Sequence, residues 1–249
     1  MSLHEREEKI INILHKNQTM KNSDLAKMLY VSPATMRRDL DALEQKGLII
    51  RKYGECTLSK KTRDERNFFL LREQDQSTVK QSMAKRAVKM IKNGNRIMID
   101  HSTSAYNIVH LLEGFEKLFV ITNNVKASFA LGTMGITNVS TGGRMAKRSF
   151  SLYGQEAIDT IRNYNADILF FSCGGISEDG YLTDEQIDIN VLRKEMLKRS
   201  KKKVLICTGD KIGKCYTHNL CHVSELDEII CDIQLPDYIK EQMKKDKKI

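Results

Sequence analysis

The sequence predicts an α/β protein in two parts: a winged helix-turn-helix domain, followed by a doubly wound domain with a mostly parallel sheet. Two observations lead to this prediction. Three short helical patterns and a basic hairpin pattern occupy the first 58 residues. After them, short apolar runs alternate with amphipathic segments, which is typical of a parallel sheet covered by helices on both faces. We therefore place the domains at residues 1–58 and 76–249, joined by a charged linker at residues 59–75.

Length, composition and charge fit a globular cytoplasmic protein with a polyanionic partner. The 249 residues suit a small domain plus a medium one, and 41% hydrophobic residues suffice for a core. A formal net charge of +9 favours partners such as nucleic acids. We expect no membrane segment and no signal peptide, since Glu5, Glu7 and Glu8 interrupt the N-terminus. The six cysteines are scattered, as expected for reduced thiols.

The N-terminal domain is predicted from three helices in close succession. A first helix covers residues 3–16 and a second covers Ser23–Leu29, each with an apolar stripe. The third begins with Ser32 as N-cap and Pro33 at the first helical position, and it ends before Gly47. The short connection before the third helix is typical of a helix-turn-helix.

The third helix has a face that suits base reading. Met36, Leu40 and Leu43 recur at helical spacing and predict a buried stripe. Arg38 falls on the opposite face and Arg37 on its flank; arginine can contact guanine through two hydrogen bonds. A solvated charged face would give the same pattern, so these residues alone leave both interpretations open.

A basic hairpin follows the third helix and predicts a wing. It covers Leu48–Leu58 and turns at Gly54, so that it can contact phosphate or the minor groove. The predicted DNA contacts are Ser32, Pro33, Ala34, Thr35, Arg37 and Arg38 on the helix, with Arg51, Lys52 and Tyr53 on the wing.

These residues resemble the signature of the DeoR-type bacterial transcription regulators, V-S-x-x-T-I-R-R-D-L-x-x-L-E-x-x-G-x-L. The matching stretches are Val31–Leu40, Leu43-Glu44 and Gly47-Leu48. At the wing tip the chain has Tyr53-Gly54-Glu55, where that family usually has His-Gly-Gly. The resemblance implies DNA binding through Ser32, Thr35, Arg37 and Arg38.

Apolar runs predict the strands of the second domain. They lie at Arg96–Asp100, Leu118–Thr122, Ile136–Ser140, Ile168–Phe171, Val204–Cys207 and Glu228–Cys231. Helices are predicted at Ser82–Ile91, Tyr106–Leu112 and Val125–Leu131, with Tyr238–Lys248 as a terminal helix or frayed tail. Thr183-Asp184-Glu185 is expected to open a further helix.

Polar or glycine-rich segments follow these strands, and ligands of such sheets bind beyond the carboxyl ends of the strands. Hydroxyls at a helix start, glycines and a nearby cation suit a small phosphorylated molecule that carries hydroxyl groups. Ordinary strand-to-helix turns use the same residue types, which leaves that alternative open. We call this small molecule the effector. The residues predicted to bind it are Asp100, Ser102, Thr103, Ser104, Asn123, Asn124, Gly142, Gly143, Arg144, Gly174, Gly175, Asp184 and Lys211.

The same segments resemble the sensor domain of the DeoR-type regulators. Asp100–Ser104 is similar to its D-S-G-T-T region, Thr122–Asn124 to its T-N-S/N, and Gly209–Gly213 to its D-H-S-K-F-G. The resemblance implies a fold shared with ribose-5-phosphate isomerases and CoA transferases, which here acts as a receptor for sugar phosphates. It also implies Lys211 as the main phosphate or carbonyl partner. The chain departs from the first of these motifs at His101, and such a departure affects which effector is bound.

Two other functions fit subsets of these residues. Asp100, Asp184 and Lys211 supply the acid and base that a sugar-phosphate isomerase needs. A metal-responsive regulator could use the zinc-ligand types at Cys215, His218, Cys221 and His222, although their spacing is not that of a standard finger. We expect instead a regulator without catalysis, cofactor or metal, most simply a repressor of a sugar-metabolism operon. Its expected partners are double-stranded operator DNA, a phosphorylated sugar and itself, as a homodimer or homotetramer.

Overall fold

The computed structural model describes residues 3–59, 73, 77–146 and 149–244. The chain divides into two compact units, Met1–Leu71 and Arg72–Ile249. Of the linker predicted at residues 59–75, only Ser59 and Glu73 are among the described residues. The boundaries at residues 58 and 76 therefore stay predictions.

The first unit combines three helices with a three-stranded antiparallel sheet. Helices α1 to α3 span Leu3–Asn17, Asn22–Met28 and Pro33–Gln45, and strands β1 to β3 span Thr19–Lys21, Ile49–Lys52 and Glu55–Leu58. The sheet order is β1-β3-β2. The predicted winged helix-turn-helix is confirmed. Strand β1 was not predicted. Its first and last residues are exposed polar ones, so the segment shows no apolar alternation in the sequence.

The cap and core of the third helix follow from its sequence. The Ser32 side chain accepts a hydrogen bond from the Thr35 amide, 3.1 Å away, directly before Pro33. Met36, Leu40 and Leu43 are each 1% exposed, which confirms the predicted stripe. They pack against the apolar residues of α1, α2 and the wing in one core.

The second unit contains strands β4 to β14 and helices α4 to α9. The strands span Arg96–Ile99, Phe119–Thr122, Thr137–Ser140, Arg144–Met145, Leu152–Tyr153, Ala166–Phe171, Gly175–Ile176, Tyr181–Asp184, Ser200–Cys207, His218–His222 and Glu228–Cys231. The helices span Ser77–Ala87, Thr103–Val109, Val125–Thr133, Gln155–Arg162, Ile187–Lys198 and Asp237–Lys244. Short 3₁₀ helices lie at Val88–Met90, Gly209–Lys211 and Val223–Glu225.

A six-stranded sheet of order β14-β12-β9-β4-β5-β6 forms the centre of this unit. All its neighbouring strands are parallel, and it contains all six strands predicted from the apolar runs. The chain adds β5 and β6 on one side of β4, and then β9, β12 and β14 on the other. The strand order therefore reverses between β4 and β9, and a crevice at such a point is the usual ligand site of an open α/β sheet.

Two small antiparallel sheets, β7-β8 and β10-β11-β13, lie outside the prediction. One helix prediction is wrong as a result: Asp184 ends strand β11, and helix α8 begins only at Ile187. The Thr183 hydroxyl accepts a hydrogen bond from the Tyr216 amide, 3.0 Å away, instead of capping a helix. Polar residues at the end of a strand resemble an N-cap in sequence, which explains the error.

Helix limits differ where a cap or a polar turn outweighs the apolar pattern. The helix predicted at Tyr106–Leu112 begins at Thr103, because the Ser102 hydroxyl caps it by accepting from the Ala105 amide. The helix predicted at Ser82–Ile91 begins earlier, at Ser77. The last residues of the predicted terminal segment, from 245 onward, lie outside the described residues. None of the described helices combines the length and apolar character needed to cross a membrane.

Candidate functional site

The start of helix α3 gathers the residues predicted to read DNA. Ser32, Pro33 and Ala34 are exposed, and the Ser32 and Thr35 hydroxyls are 2.9 Å apart. Arg37 and Arg38 are both exposed, and neither forms an ion pair within the described residues. Two unpaired guanidinium groups beside small side chains form a surface that can approach a phosphate backbone and base edges.

Two ion pairs that the sequence analysis missed hold α3 against α1. Arg6 Nε and Nη2 donate to the Asp39 carboxylate over 2.7 and 3.0 Å, and Asp39 is only 1% exposed. The hydrogen bond to Asp39 raises the pKa of Arg6. Lys46 Nζ lies 2.8 and 2.7 Å from the two carboxylate oxygens of Glu7. These pairs fix the rotation of α3 about its axis, and with it the direction of the exposed arginines.

The three predicted contact residues of the wing differ in what surrounds their side chains. Lys52 and Tyr53 are exposed at the tip. Arg51 instead turns back toward α3, where its guanidinium pairs with Asp41 and lies 3.9 Å from the Glu44 carboxylate. Its amide also donates to Glu44 over 3.1 Å. Arg51 is thus bound to α3, the predicted DNA-recognition helix, within its own unit.

We expect Arg51→Gln to weaken binding to operator DNA without changing its salt dependence, because Arg51 holds the wing in place. Lys52→Gln is the matched control, since an exposed cation that contacts a phosphate contributes about 0.9 to the slope of log affinity against log salt. Fluorescence anisotropy across a salt series measures both quantities. A loss of about 0.9 in slope for Arg51→Gln would show a direct phosphate contact instead.

In the second unit, Asp100 lies at the point where the strand order reverses. It directly follows β4 and is fully buried. One carboxylate oxygen accepts from the Ser102 amide at 2.9 Å, and the other accepts from Arg193 Nε at 3.0 Å. The second oxygen also lies 3.4 Å from the amide of Ser172, which follows β9. Asp100 thereby joins the two halves of the sheet.

Arg193 is the residue of this site that the sequence analysis missed. It is 3% exposed, and its Nη1 donates to the Asp184 carboxylate over 2.8 Å while Nε binds Asp100. Burial alone would raise the pKa of Asp184, but the pair with Arg193 lowers it. The two carboxylates likewise raise the pKa of Arg193, although burial opposes this. The one feature of the sequence that could have indicated Arg193 is its position next to Leu192, among the apolar residues of the buried face of α8.

Lys211 reaches the same crevice from the loop after β12. Its Nζ donates to Ser172 Oγ over 2.9 Å and to the Cys173 carbonyl over 2.7 Å. Within the described part of the chain, no carboxylate pairs with this ammonium group. An anionic ligand bound beside Lys211 would therefore supply the counter-charge that these residues do not.

Asn123, which follows β5, presents a buried acceptor. Its Nδ2 donates to the Leu152 carbonyl over 3.1 Å, but its Oδ1 is buried and accepts no hydrogen bond from the described residues. Asn124 has a structural role, because its Oδ1 caps α6 by accepting from the Ala127 amide. Thr103 and Ser104, at the start of α5, are buried residues whose hydroxyls form no hydrogen bond among the described residues. A buried acceptor without a donor is costly unless a ligand or water satisfies it.

Close chain packing explains three of the four glycines predicted to line the pocket. A Cβ on Gly175 would lie 2.3 Å from the Lys214 carbonyl, and one on Gly174 would lie 3.0 Å from the Thr183 carbonyl. A Cβ on Gly143 would similarly meet a backbone oxygen at 2.5 Å, whereas Gly142 has open space and a φ of +67°. Arg144 is exposed on β7. A ligand contact at these five residues stays a prediction.

The cysteine and histidine residues of strand β13 are used for packing and capping. Cys221 lies in the core, where burial raises the pKa of its thiol. The His222 ring lies 2.9 Å from Ser224 Oγ and 3.0 Å from the Asp179 carbonyl. Across the described residues, no three His, Cys, Asp or Glu side chains are placed to hold a metal ion.

Comparisons with known proteins cover both units. Residues 6–62 match the DeoR-like helix-turn-helix domain and residues 75–233 match the DeoR C terminal sensor domain. The HTH-type transcriptional regulator GolR of Listeria innocua is 32% identical over 92% of this chain and 90% of its own. A glycerol-3-phosphate regulon repressor of Haemophilus influenzae is 26% identical over 96% of this chain and 94% of its own.

Among solved structures, ribose 5-phosphate isomerase A of Methanocaldococcus jannaschii aligns over 55% of both chains, with 18% identity and a TM-score of 0.42. Matches to both DeoR domain models, together with full-length regulators of the same organisation, assign the chain to a family of regulators rather than enzymes. The chain belongs to the DeoR family of DNA-binding transcriptional regulators.

Proposed function

We propose that the chain represses a sugar-metabolism operon and that a phosphorylated sugar modulates its binding to the operator. The observation that carries this proposal is Lys211, a cation without a carboxylate partner among the described residues, at the sheet edge where Asn123 also has a buried acceptor. Lys211 would bind the phosphate, and Asn123 would accept a hydrogen bond from a sugar hydroxyl. The name of the Haemophilus relative, a glycerol-3-phosphate regulon repressor, supports a phosphorylated ligand.

The dimensions of the crevice support a ligand of this size. Lys211 binds the residues that follow β9, and Asn123 follows β5, with β4 between these strands. Since neighbouring strands lie about 4.8 Å apart, the two groups are separated by two strand spacings, on the order of 10 Å. A monosaccharide phosphate can bridge such a distance, so that phosphate and hydroxyl groups are bound at opposite ends.

Catalysis by an isomerase is less well supported by the same geometry. Its candidate bases, Asp100 and Asp184, both pair with Arg193, which stabilises them as bound carboxylates. A general base must instead be free to take a proton from the substrate. The arrangement favours a receptor that binds its ligand and releases it unchanged.

For the DNA-binding unit we propose contacts from Ser32, Pro33, Ala34, Thr35, Arg37, Arg38, Lys52 and Tyr53. An operator that is read by one short helix per chain needs two copies for useful specificity, so the proposed state is a homodimer or homotetramer. This function places the protein in the bacterial cytoplasm with the chromosome.

The test uses an operator duplex that the wild-type protein selects from a random-sequence pool, followed by anisotropy with a panel of sugar phosphates at fixed salt. One compound is expected to shift the binding curve. If the duplex binds and every phosphorylated sugar leaves the curve unchanged, the DNA-binding function stands and the proposed effector class is wrong.

Lys211→Met is expected to keep operator affinity but to need about 10- to 100-fold more effector for the same response. The reason is that hydrogen bonds to charged groups contribute about 1.5–3 kcal/mol. Lys214→Met is the matched control, because Lys214 lies in the same loop but pairs with Asp210 at 3.1 Å. A wild-type response from Lys211→Met would place the phosphate elsewhere.

A further inference from the structure

Helix α2, the first helix of the helix-turn-helix, ends in a Schellman motif. The Val31 amide donates to the Ala26 carbonyl over 3.0 Å, and the Tyr30 amide donates to the Lys27 carbonyl over 3.2 Å. In this motif the residue after the C-cap adopts a left-handed backbone conformation, which strongly favours glycine. That residue is Tyr30, with a φ of +53°.

Two other helices of the chain end in the same way but use glycine. After α3, Gly47 has a φ of +67° and Leu48 donates to Leu43. After α6, Gly135 has a φ of +71° and Ile136 donates to Leu131. A side chain at this position clashes with its own backbone, so a tyrosine here destabilises the turn relative to glycine.

Packing among the described residues does not compensate for this strain. The Tyr30 side chain is 96% exposed, which leaves almost none of its ring in contact with the described residues. Strained conformations that the fold does not need are concentrated at functional sites. The position is two residues before the N-cap Ser32, and thus at the predicted DNA-reading end of α3.

The surroundings of Tyr30 indicate the chemistry of its partner. It lines a groove of about 820 Å³ in which apolar residues such as Val31 and Met36 lie beside Lys27, Arg37 and the polar residues Asn22 and Ser23. Two cations beside hydroxyl and amide groups favour an anionic partner with many acceptor oxygens. A nucleic-acid backbone has these properties, and tyrosine hydroxyls are among its common hydrogen-bond donors.

We propose that Tyr30 is a DNA-contacting residue whose phenol hydroxyl donates to a backbone phosphate of the operator, next to the groove entered by α3. The contact positions the recognition helix without itself reading a base. It rests on the DNA-binding function of the family and is independent of the proposed effector. In this proposal, the contact with DNA offsets the cost of the strained turn when DNA is bound.

The experiment measures thermal stability and operator affinity for the same variants of the full chain. Tyr30→Gly and Tyr30→Asn should both raise the melting temperature, because they relieve the left-handed strain, yet each should weaken binding to the selected operator duplex about tenfold. Tyr30→Phe should leave the melting temperature unchanged and weaken binding severalfold. The slope of log affinity against log salt should stay constant, since a neutral phenol releases no counterion.

Gln18→Gly is the matched control, because Gln18 has a φ of +61° and is exposed in the same unit. It should raise the melting temperature and leave operator affinity unchanged. Operator affinity equal to wild type in Tyr30→Gly and Tyr30→Phe would overturn the proposal. So would a change in oligomeric state by analytical ultracentrifugation in both variants, because it would assign Tyr30 to a contact between protein chains.

Discussion

Arg193→Met is expected to lower the free energy of unfolding of the second unit, the sensor unit, by about 3–5 kcal/mol, because it leaves the buried carboxylate of Asp100 and the partly buried carboxylate of Asp184 without their counter-charge. Arg193 is the shared partner of Asp100 and Asp184, and Asp100 is fully buried. Denaturant titration of the full chain, followed by circular dichroism, measures the loss. Arg199→Met is the control, since Arg199 forms a half-exposed pair with Glu195 that contributes about 0.3–0.5 kcal/mol.

The deficit of Arg193→Met should also depend on pH in a defined direction. In the wild type, the pKa of Asp184 is lower in the folded chain than in the unfolded chain. Its stabilising contribution is therefore present above the unfolded value and is lost as the pH falls through the folded value. In the variant, Asp184 no longer has the pair with Arg193 that lowers its pKa, so it takes up a proton at higher pH and the difference from wild type should shrink on acidification. A small deficit that is constant with pH would contradict the proposed role of Arg193.

Arg38→Ala is expected to weaken binding to the selected operator by about 10- to 100-fold, the effect of losing one bidentate contact to a base pair. Its affinity for unrelated DNA should fall much less, so the ratio of the two affinities reports lost specificity. Arg37→Ala is a useful comparison, because Arg37 lies on the flank of the same helix and is equally exposed. Arg162→Ala, at an exposed arginine of the sensor unit, is the control.

Competition anisotropy with unlabelled operator and scrambled duplexes gives both affinities. Effector-dependent stabilisation of the sensor unit should be retained by Arg38→Ala, because the mutation lies in the other unit. If Arg38→Ala binds the operator as tightly as wild type, the assignment of this helix face to base reading is wrong.

Local signals made the main elements predictable. The Ser32-Pro33 start of α3 needs only neighbouring residues, because the cap bonds to Thr35. The strands of the six-stranded sheet could be predicted from apolar runs, which are typical of parallel sheets. An element that depends on distant partners leaves no comparable local signal. Strand β1 is an example, since its Thr19 pairs with Thr57.

It was easier to predict which residues belong to the candidate site than to predict which side chains contact one another there. Asp100, Asn123 and Lys211 could be selected because each follows a predicted strand, as ligands of such sheets require, and Asp184 could be selected as part of a predicted helix start. The partner that orders two of them, Arg193, is 93 residues from Asp100 in sequence. It lies on a helix that faces the crevice, and a search confined to strand ends excludes helices.

The recognition helix divides packing and reading between opposite faces. Its inner face, formed by Met36, Asp39, Leu40 and Leu43, is at most 1% exposed. Its outer positions, such as Ala34, Arg37 and Arg38, contribute nothing to that core. After gene duplication, a copy can therefore acquire a new target sequence through a few substitutions on the outer face, while inheriting the same fold. This separation allows one scaffold to diversify into regulators of many operons.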